Sequence, residues 1–509
     1  MVPASAQREP WEPEEARREL IRRRLRHVGP STPEDLAEQL ALASVDVARA
    51  LAALEAEGSC FQGRFVEGVE TIQFCERTIL ERIHRATLAR LRQEIEPVAP
   101  DRFVDFLCRW QHVAPGGRLN GADGLSEILT QLQGLELPAS SWERDILPLR
   151  LAGYRPELLD QLGLTGAFVW GRLVPGGAGG APPLTFFQVD DLSWLRPEST
   201  NTAEPLAVGL SDPARRIHER LQERGASFLD DVARGEKLEP ADTLSALWEL
   251  VSAGRVTNDT FTAVRFALEG DTRSRQLKTT GRPTRSDLRL RVKLKTLQGR
   301  WSLLPFSEPP AHEERVEAWA RCLLTRYGIL FRELLALETA APPWRELVPQ
   351  LRRWELGGRL RAGRFVEGVS GEQYALPEAV ELLRAARRSE SRDLLVLSTV
   401  DPINLYGPLF PCPVTRRAES LIVLEGGRPI LALEGSTLRP LADLAPEALD
   451  YAIRALTAER RGRRFTIERW DETPVLDSPV EQALRDAGFY SDGIRLIFDG
   501  YTGPRVPWR

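Results

Sequence analysis

The segment GRFVEGV occurs at residues 63–69 and again at 363–369, and the likeness runs on beyond it at a constant offset of 300. Upstream, Val47, Leu51 and Leu54 stand against Leu347, Leu351 and Trp354. Each triplet is spaced i, i+4, i+7, the spacing of one helical face. Gly58 and Gly358 follow in the place of helix-ending glycines. GSCFQGRFVEGV and GRLRAGRFVEGV then read as strands, and TIQF (71–74) and GEQY (371–374) as their returning partners.

Farther upstream, Thr32-Pro33-Glu34-Asp35 has the form of a helix start, with an N-cap, a first-turn proline and acids. A helix over 14–26 completes a set of three. In the second copy, Val316, Trp319, Ala320 and Leu323 share one face of a first helix. Three helices followed by a hairpin is the winged-helix pattern, a variant of helix-turn-helix. A more degenerate copy spans 205–268, with helices over 211–226, 227–237 and 243–254 and a hairpin around Asn258-Asp259. Another spans 80–195, where PGGAGGAPP (175–183) makes a long wing tip. From about 393 the period changes to alternation, with a hairpin turn at Gly426-Gly427, which predicts a small barrel or curled sheet over 393–509.

The expected architecture is therefore α+β: winged helices at 10–79, 80–195, 205–268 and 312–390, a basic linker at 269–311, and a β-barrel-like domain at 393–509. A chain of 509 residues exceeds one ordinary core, which agrees with several domains. No apolar run reaches the roughly 18–20 residues of a membrane helix, and no signal peptide opens the sequence, so a cytoplasmic, nucleoid-associated setting without membrane contact is expected. Five scattered cysteines lack metal-ligand spacing, and the five histidines do not cluster with them, so buried thiols are expected, and neither a metal nor a cofactor. The net charge of −5 argues against a globally basic nucleic-acid binder, but screening makes local charge decisive. The stretch 273–300 is densely basic, and Arg282, Arg285, Arg289 and Arg291 within it are candidate phosphate contacts, as are Arg64 and Arg364 in the repeated wing.

Several blocks together resemble the C-terminal region of Lhr, the large helicase-related proteins of bacterial DNA repair. They are FCERTILERIHRATLARLRQEIEPV (74–98), RWQHVAPGGRLNGADGL (109–125), QLQGLELPASSWERDILPLRLAGY (131–154), GRWSLL (299–304), GRFVEGVSGEQYALPEAVELLR (363–384) and VLSTVDPINLYG (396–407). The resemblance implies winged helices followed by a β-barrel, joined in the full protein to an ATP-driven motor. This sequence holds no G-x-x-x-x-G-K-[ST] loop or DEAD-like acid pair, so the motor is expected in cis on a longer chain or in trans on another.

From about residue 80 the sequence also resembles the AlkZ-type DNA glycosylases. Their Gln-apolar-Gln motif, which positions the hydrolytic water, corresponds to Gln131-Leu132-Gln133, with Arg150 downstream as a DNA contact. Two amides at i and i+2 of an extended strand would share a face. A carboxylate is the stronger candidate for stabilising an oxocarbenium-like sugar, and Glu136, Glu143 and Asp499 are available. Trp110, Trp142 and Trp170 fit either core packing or base stacking.

These readings imply a DNA-binding module of a repair helicase, which the glycosylase resemblance extends to excision of damaged bases. The alternative is a non-catalytic scaffold for protein contacts or homo-oligomerisation.

Overall fold

The computed structural model describes residues 11–66, 68–93, 96–176, 182–197, 209–277, 299–305, 308–460 and 462–500. It divides into two units, 1–96 and 97–509.

The smaller unit is a winged helix. Helices Pro13–Leu25, Pro33–Leu40 and Ser44–Ala56 enclose Ile21, Leu25, Leu36, Val47, Leu51 and Leu54. The second helix starts at a capping box: Thr32 Oγ1 accepts from the Asp35 amide (3.1 Å) and the Asp35 carboxylate accepts from the Thr32 amide (3.1 Å). Strands Cys60–Gly63 and Gln73–Glu76 pair antiparallel, and Ser31 bridges to Phe74 to add a third short edge. The helix Arg77–Gln93 continues from the returning strand, because the Glu76 carboxylate accepts from the Thr78 and Ile79 amides and caps it. The expected boundary at 79/80 is thereby corrected. This helix closes the first module, as Pro377–Arg388 closes the repeat copy at the same offset.

The larger unit contains three more modules of this plan. The second runs through helices Pro100–Trp110 and Gly121–Leu132, a broken helical stretch from Ala139 to Arg150 and helix Pro156–Leu164. Its wing strands are Val169–Gly171 and Pro183–Phe187. The third has helices Asp212–Arg224, Leu229–Glu236 and Pro240–Ser252 and strand Val256–Asn258. Here the expected hairpin around Asn258-Asp259 is overturned. Asn258 Oδ1 accepts from the Thr260 amide, the strand ends, and helix Thr262–Leu277 follows. The returning strand is Arg300–Leu303, with Trp301 opposite Asn258. Part of the expected linker 269–311 therefore belongs to this winged helix. Arg282, Arg285, Arg289 and Arg291 lie outside the described residues.

The second and third modules share one core. The Trp170 ring stacks on Trp248 with centroids 6.0 Å apart, meets Phe261 and Trp301 edge-on, and donates its indole N–H to the Thr260 carbonyl (3.0 Å). Trp142, 0% exposed, packs edge-on to Phe186. Both are core residues, with no face free for a base.

The fourth module comprises His312–Tyr327, the 3-10 turn Arg332–Leu337, Trp344–Leu356, the wing Arg361–Gly363 and Gln373–Ala375, and Pro377–Arg388. Its GRFVEGV copy is braced by Val98, whose amide donates to the Phe365 carbonyl while its carbonyl accepts from the Glu367 amide. In both copies the returning-strand glutamine closes the wing. Gln73 Oε1 accepts from the Phe65 and Val66 amides, and Gln373 Oε1 from Phe365 (2.8 Å) and Val366 (2.9 Å). Replacing Gln373 by alanine would strand two buried donors, and urea unfolding should show a loss of about 1–3 kcal/mol.

The C-terminal region holds six strands ordered Leu394–Ser398, Leu421–Glu425, Arg428–Glu434, Thr437–Pro440, Arg469–Trp470 and Thr473–Pro474. Gly426 and Gly427, at φ 52° and 85°, make the tight turn between the second and third. Three further strands, Phe465–Ile467, Leu496–Phe498 and Tyr490–Ser491, form a separate sheet, and helix Pro446–Glu459 contributes Ala452, Ile453 and Leu456 to the common core. The described strands form two sheets and close no barrel. Closure needs a staggered ladder that returns on itself. Here Phe465–Ile467 pairs with Leu496–Phe498, and both outer strands of the larger sheet remain edges.

Candidate functional site

Helix Gly121–Leu132 ends inside the QLQ segment. Gln131 occupies its last turn, and Gln133 (φ −59°, ψ 140°) leaves it. The two amides therefore do not share a strand face as expected. Gly134 then turns the chain at φ 82°, where an added Cβ would lie 2.7 Å from Leu195, so a side chain is excluded by conformation and by space.

Gln131 is 7% exposed, and its Nε2 donates to the Trp110 (3.1 Å) and Thr325 (3.3 Å) carbonyls. Its Oε1 has no hydrogen-bond partner. Gln131 also lines a cavity of about 380 Å³ with Asp123, Ser126, Glu127, Thr130 and Thr325. An unpartnered carbonyl oxygen beside such a space suits a ligand or water that donates a hydrogen bond. Gln133 is equally buried and its Oε1 is also unpartnered, while its backbone carbonyl accepts from Arg326 and the Cys322 thiol.

Arg326 and Glu338 form an ion pair at 0% exposure, and the Tyr327 hydroxyl donates to the same carboxylate (2.8 Å). Burial opposes the Arg326 charge, but Glu338 outweighs it and holds the guanidinium above its ordinary value. Gln111 links this group to a second pair, donating to the Arg326 carbonyl (2.9 Å) and accepting from Arg150 (2.8 Å). Arg150 reaches both Asp401 oxygens at 2.9 Å with neither side chain more than 1% exposed. The expectation that Arg150 contacts DNA is corrected. Its bidentate geometry suits a phosphate, but Asp401 of the DPINLYG block already fills that place. Nothing in the sequence singles out Asp401. A lone Asp-Pro pair in a loop signals a turn, and only the fold brings it to Arg150.

The three carboxylates are engaged in different ways. Glu143 accepts from Arg265 (2.7 and 2.8 Å) and from the Tyr154 hydroxyl (2.5 Å), tying the second module to the helix inserted in the third. Glu136 accepts from the Leu173 (2.8 Å) and Val174 (3.3 Å) amides of the wing. Burial raises its pKa above the ordinary carboxylate value despite those bonds and the nearby Arg172. The native state thus holds this proton more tightly than the unfolded chain does. Its contribution is present below the unfolded pKa and is lost as pH rises through the folded one. Glu136→Gln should flatten that decline, visible as urea midpoints that fall less between pH 4 and 7 than the parent's. Asp499 follows the strand Leu496–Phe498, accepts from the Tyr490 hydroxyl (3.1 Å) and lies 3.9 Å from Arg464. It belongs to the C-terminal three-stranded sheet, whereas Gln131 and Gln133 contact the helix His312–Tyr327.

Arg64 and Arg364 are both exposed, each just beyond the first strand of its wing. The Trp110 indole is held by the Thr325 carbonyl (2.9 Å) and packs on Phe106. All five cysteines are free thiols, and burial pushes Cys60 and Cys322 up to about 11. Among the described residues no group of three His, Cys, Asp or Glu side chains could hold a metal ion, and no helix is long and apolar enough to cross a membrane.

The winged-helix domain of large helicase-related protein, in its fourth-domain form, matches residues 11–95 and again 309–395. Its third-domain form matches residues 98–185. The chain is 32% identical over 490 residues to a Mycolicibacterium smegmatis protein named Lhr helicase/probable uracil glycosylase, covering 91% of this chain and 32% of that protein. It is 31% identical over 520 residues to the Escherichia coli Lhr helicase/uracil glycosylase, covering 93% of this chain and 33% of that protein. The chain thus spans about a third of the length of these relatives.

Proposed function

The chain belongs to the Lhr family of large helicase-related proteins and corresponds to their C-terminal region, and from that premise we propose that it grips DNA through its winged helices and excises uracil from it. The observation that carries the excision reading is the buried Gln131 carbonyl oxygen, unpartnered, in a residue that lines a cavity. Hydrolysis of the N-glycosidic bond breaks C1′–N1, the base leaves with the electron pair and takes up a proton, and water adds to C1′. An amide is too weak a base to deprotonate that water. Gln131 Oε1 can accept one of its hydrogens and fix its direction of approach, the role suggested by the AlkZ-type motif. Gln133, whose Oε1 is also without a partner, supports it in this reading. Arg64 and Arg364 contact backbone phosphates. The motor that drives translocation lies elsewhere in the same protein or on a partner.

The test is a set of end-labelled duplexes carrying uracil, an alkylated base or no lesion, incubated without metal or ATP. Abasic sites in the uracil duplex alone are the expected result. If no duplex acquires abasic sites, the excision reading fails.

A second reading is favoured by one feature of the smaller unit. Val45, Phe61, Val66 and Ile72 are 70%, 43%, 45% and 53% exposed, large apolar side chains of the kind that a protein contact or homo-oligomerisation covers. A gel shift with single-stranded and duplex DNA separates a scaffold, which shifts neither, from a DNA-binding module.

A further inference from the structure

The two GRFVEGV modules follow one plan but present different chemistry on the same face. Their buried helix positions correspond: Val47, Leu51 and Leu54 in the first, Leu347, Leu351 and Trp354 in the fourth. The outward positions diverge. Val45, Ala52, Ala53, Ser59 and Phe61 of the first module are replaced at the same offset by Arg345, Arg352, Arg353, Arg359 and Arg361. All five arginines are exposed, as is Arg364 beyond them. Two acids temper the face, Glu346 at 3.9 Å from Arg345 and Glu372 at 3.0 Å from Arg352. A third, Glu367, is exposed farther along the wing. Six cations against three acids leave the face positive.

The third helices of the other modules offer nothing comparable. Ser44–Ala56 has a single cation, Arg49, paired with Glu14 at 3.0 Å. Pro156–Leu164 and Pro240–Ser252 contain acids and no Lys or Arg at all. In a winged helix, the third helix and the wing strand are the elements that meet a duplex. A helix bearing only acids is repelled by phosphate, whereas exposed arginines bind phosphate bidentately.

We propose that duplex DNA docks on the fourth winged helix, through the outward face of Trp344–Leu356 and the strand that follows, and that the matching helix Ser44–Ala56 of the first winged helix takes no part, which leaves that module only the wing contact of Arg64. The proposal rests on the DNA-binding reading above and assigns the duplex-facing helix to one of four similar modules. Matching buried positions keep the two copies on one fold, while the exchange of five exposed residues specialises one of them for phosphate.

Fluorescence anisotropy of a labelled 20-base-pair duplex, titrated with the whole chain across a salt series, tests it. The variant Arg345→Ala/Arg353→Ala/Arg359→Ala/Arg361→Ala should bind at least tenfold more weakly. The slope of log K against log salt should fall by about 0.9 for each phosphate that the variant no longer neutralises. The same four positions changed to lysine should keep most of the affinity, since point charges survive, which separates charge removal from misfolding. Arg49→Ala in the first module should bind like the parent. A quadruple alanine variant with affinity and salt slope within twofold of a DNA-binding parent overturns the assignment alone. A parent that binds no duplex overturns the DNA-binding reading as well.

Discussion

Replacing Asp401 by alanine should lower the stability of the larger unit by about 3–5 kcal/mol, read from urea or thermal unfolding. Arg150 is 0% exposed and has both Asp401 oxygens as partners, so the substitution leaves a buried guanidinium with the Ile146 carbonyl and Gln111 Oε1 alone. Arg150→Met should cost a similar amount, because Asp401 then keeps only the Ile403 amide among these bonds. The double variant Arg150→Met/Asp401→Leu should lose less than the two single variants combined, since it leaves no unpaired charge. Singles that each lose under about 1 kcal/mol would show that the larger unit tolerates an unpaired charge and that the pair does not hold it together.

Excision of uracil by Gln131→Ala is expected to fall about a hundredfold in kcat with little change in KM, on the scale seen when one positioned polar group is removed from a reacting centre. The alternative is a structural role, since Nε2 bridges the Trp110 and Thr325 carbonyls. That role predicts a lowered melting temperature and normal kcat for the protein that remains folded. Gln131→Glu separates the two further. A carboxylate there can accept a proton from water, so activity should recover as pH rises through its titration. Normal kcat in both variants would remove Gln131 from the mechanism.

Much of the winged-helix plan is legible locally. The helical spacing of Val47, Leu51 and Leu54, the Thr32–Asp35 capping box and the strand-forming GRFVEGV segment each act within a few residues, so pattern and propensity carry them. The wing-closing glutamines are legible only as strand residues, because the acceptor role of Gln73 and Gln373 depends on the turn of the wing. The third module departs from its pattern where a helix interrupts the hairpin, since a strand partner beyond residue 299 leaves no mark near Asn258. Whether strands close into a barrel lies beyond the local pattern for a similar reason. Alternation identifies strands, but which edge each one finds is a non-local choice.

The candidate site divides along the same line. Sequence alone carried the family resemblance and the repeat of two winged-helix modules, and it pointed to the wing arginines and the QLQG segment as candidates, because these are properties of residues and their near neighbours. Only the tertiary structure decided that Arg150 belongs to Asp401, 251 positions away, and that Gln131 ends a helix beside a cavity with its carbonyl unpartnered. An arginine in sequence is equally a phosphate ligand and half of a buried ion pair. Which it becomes is set by desolvation and by the partner that folding delivers, and neither is encoded near the residue itself.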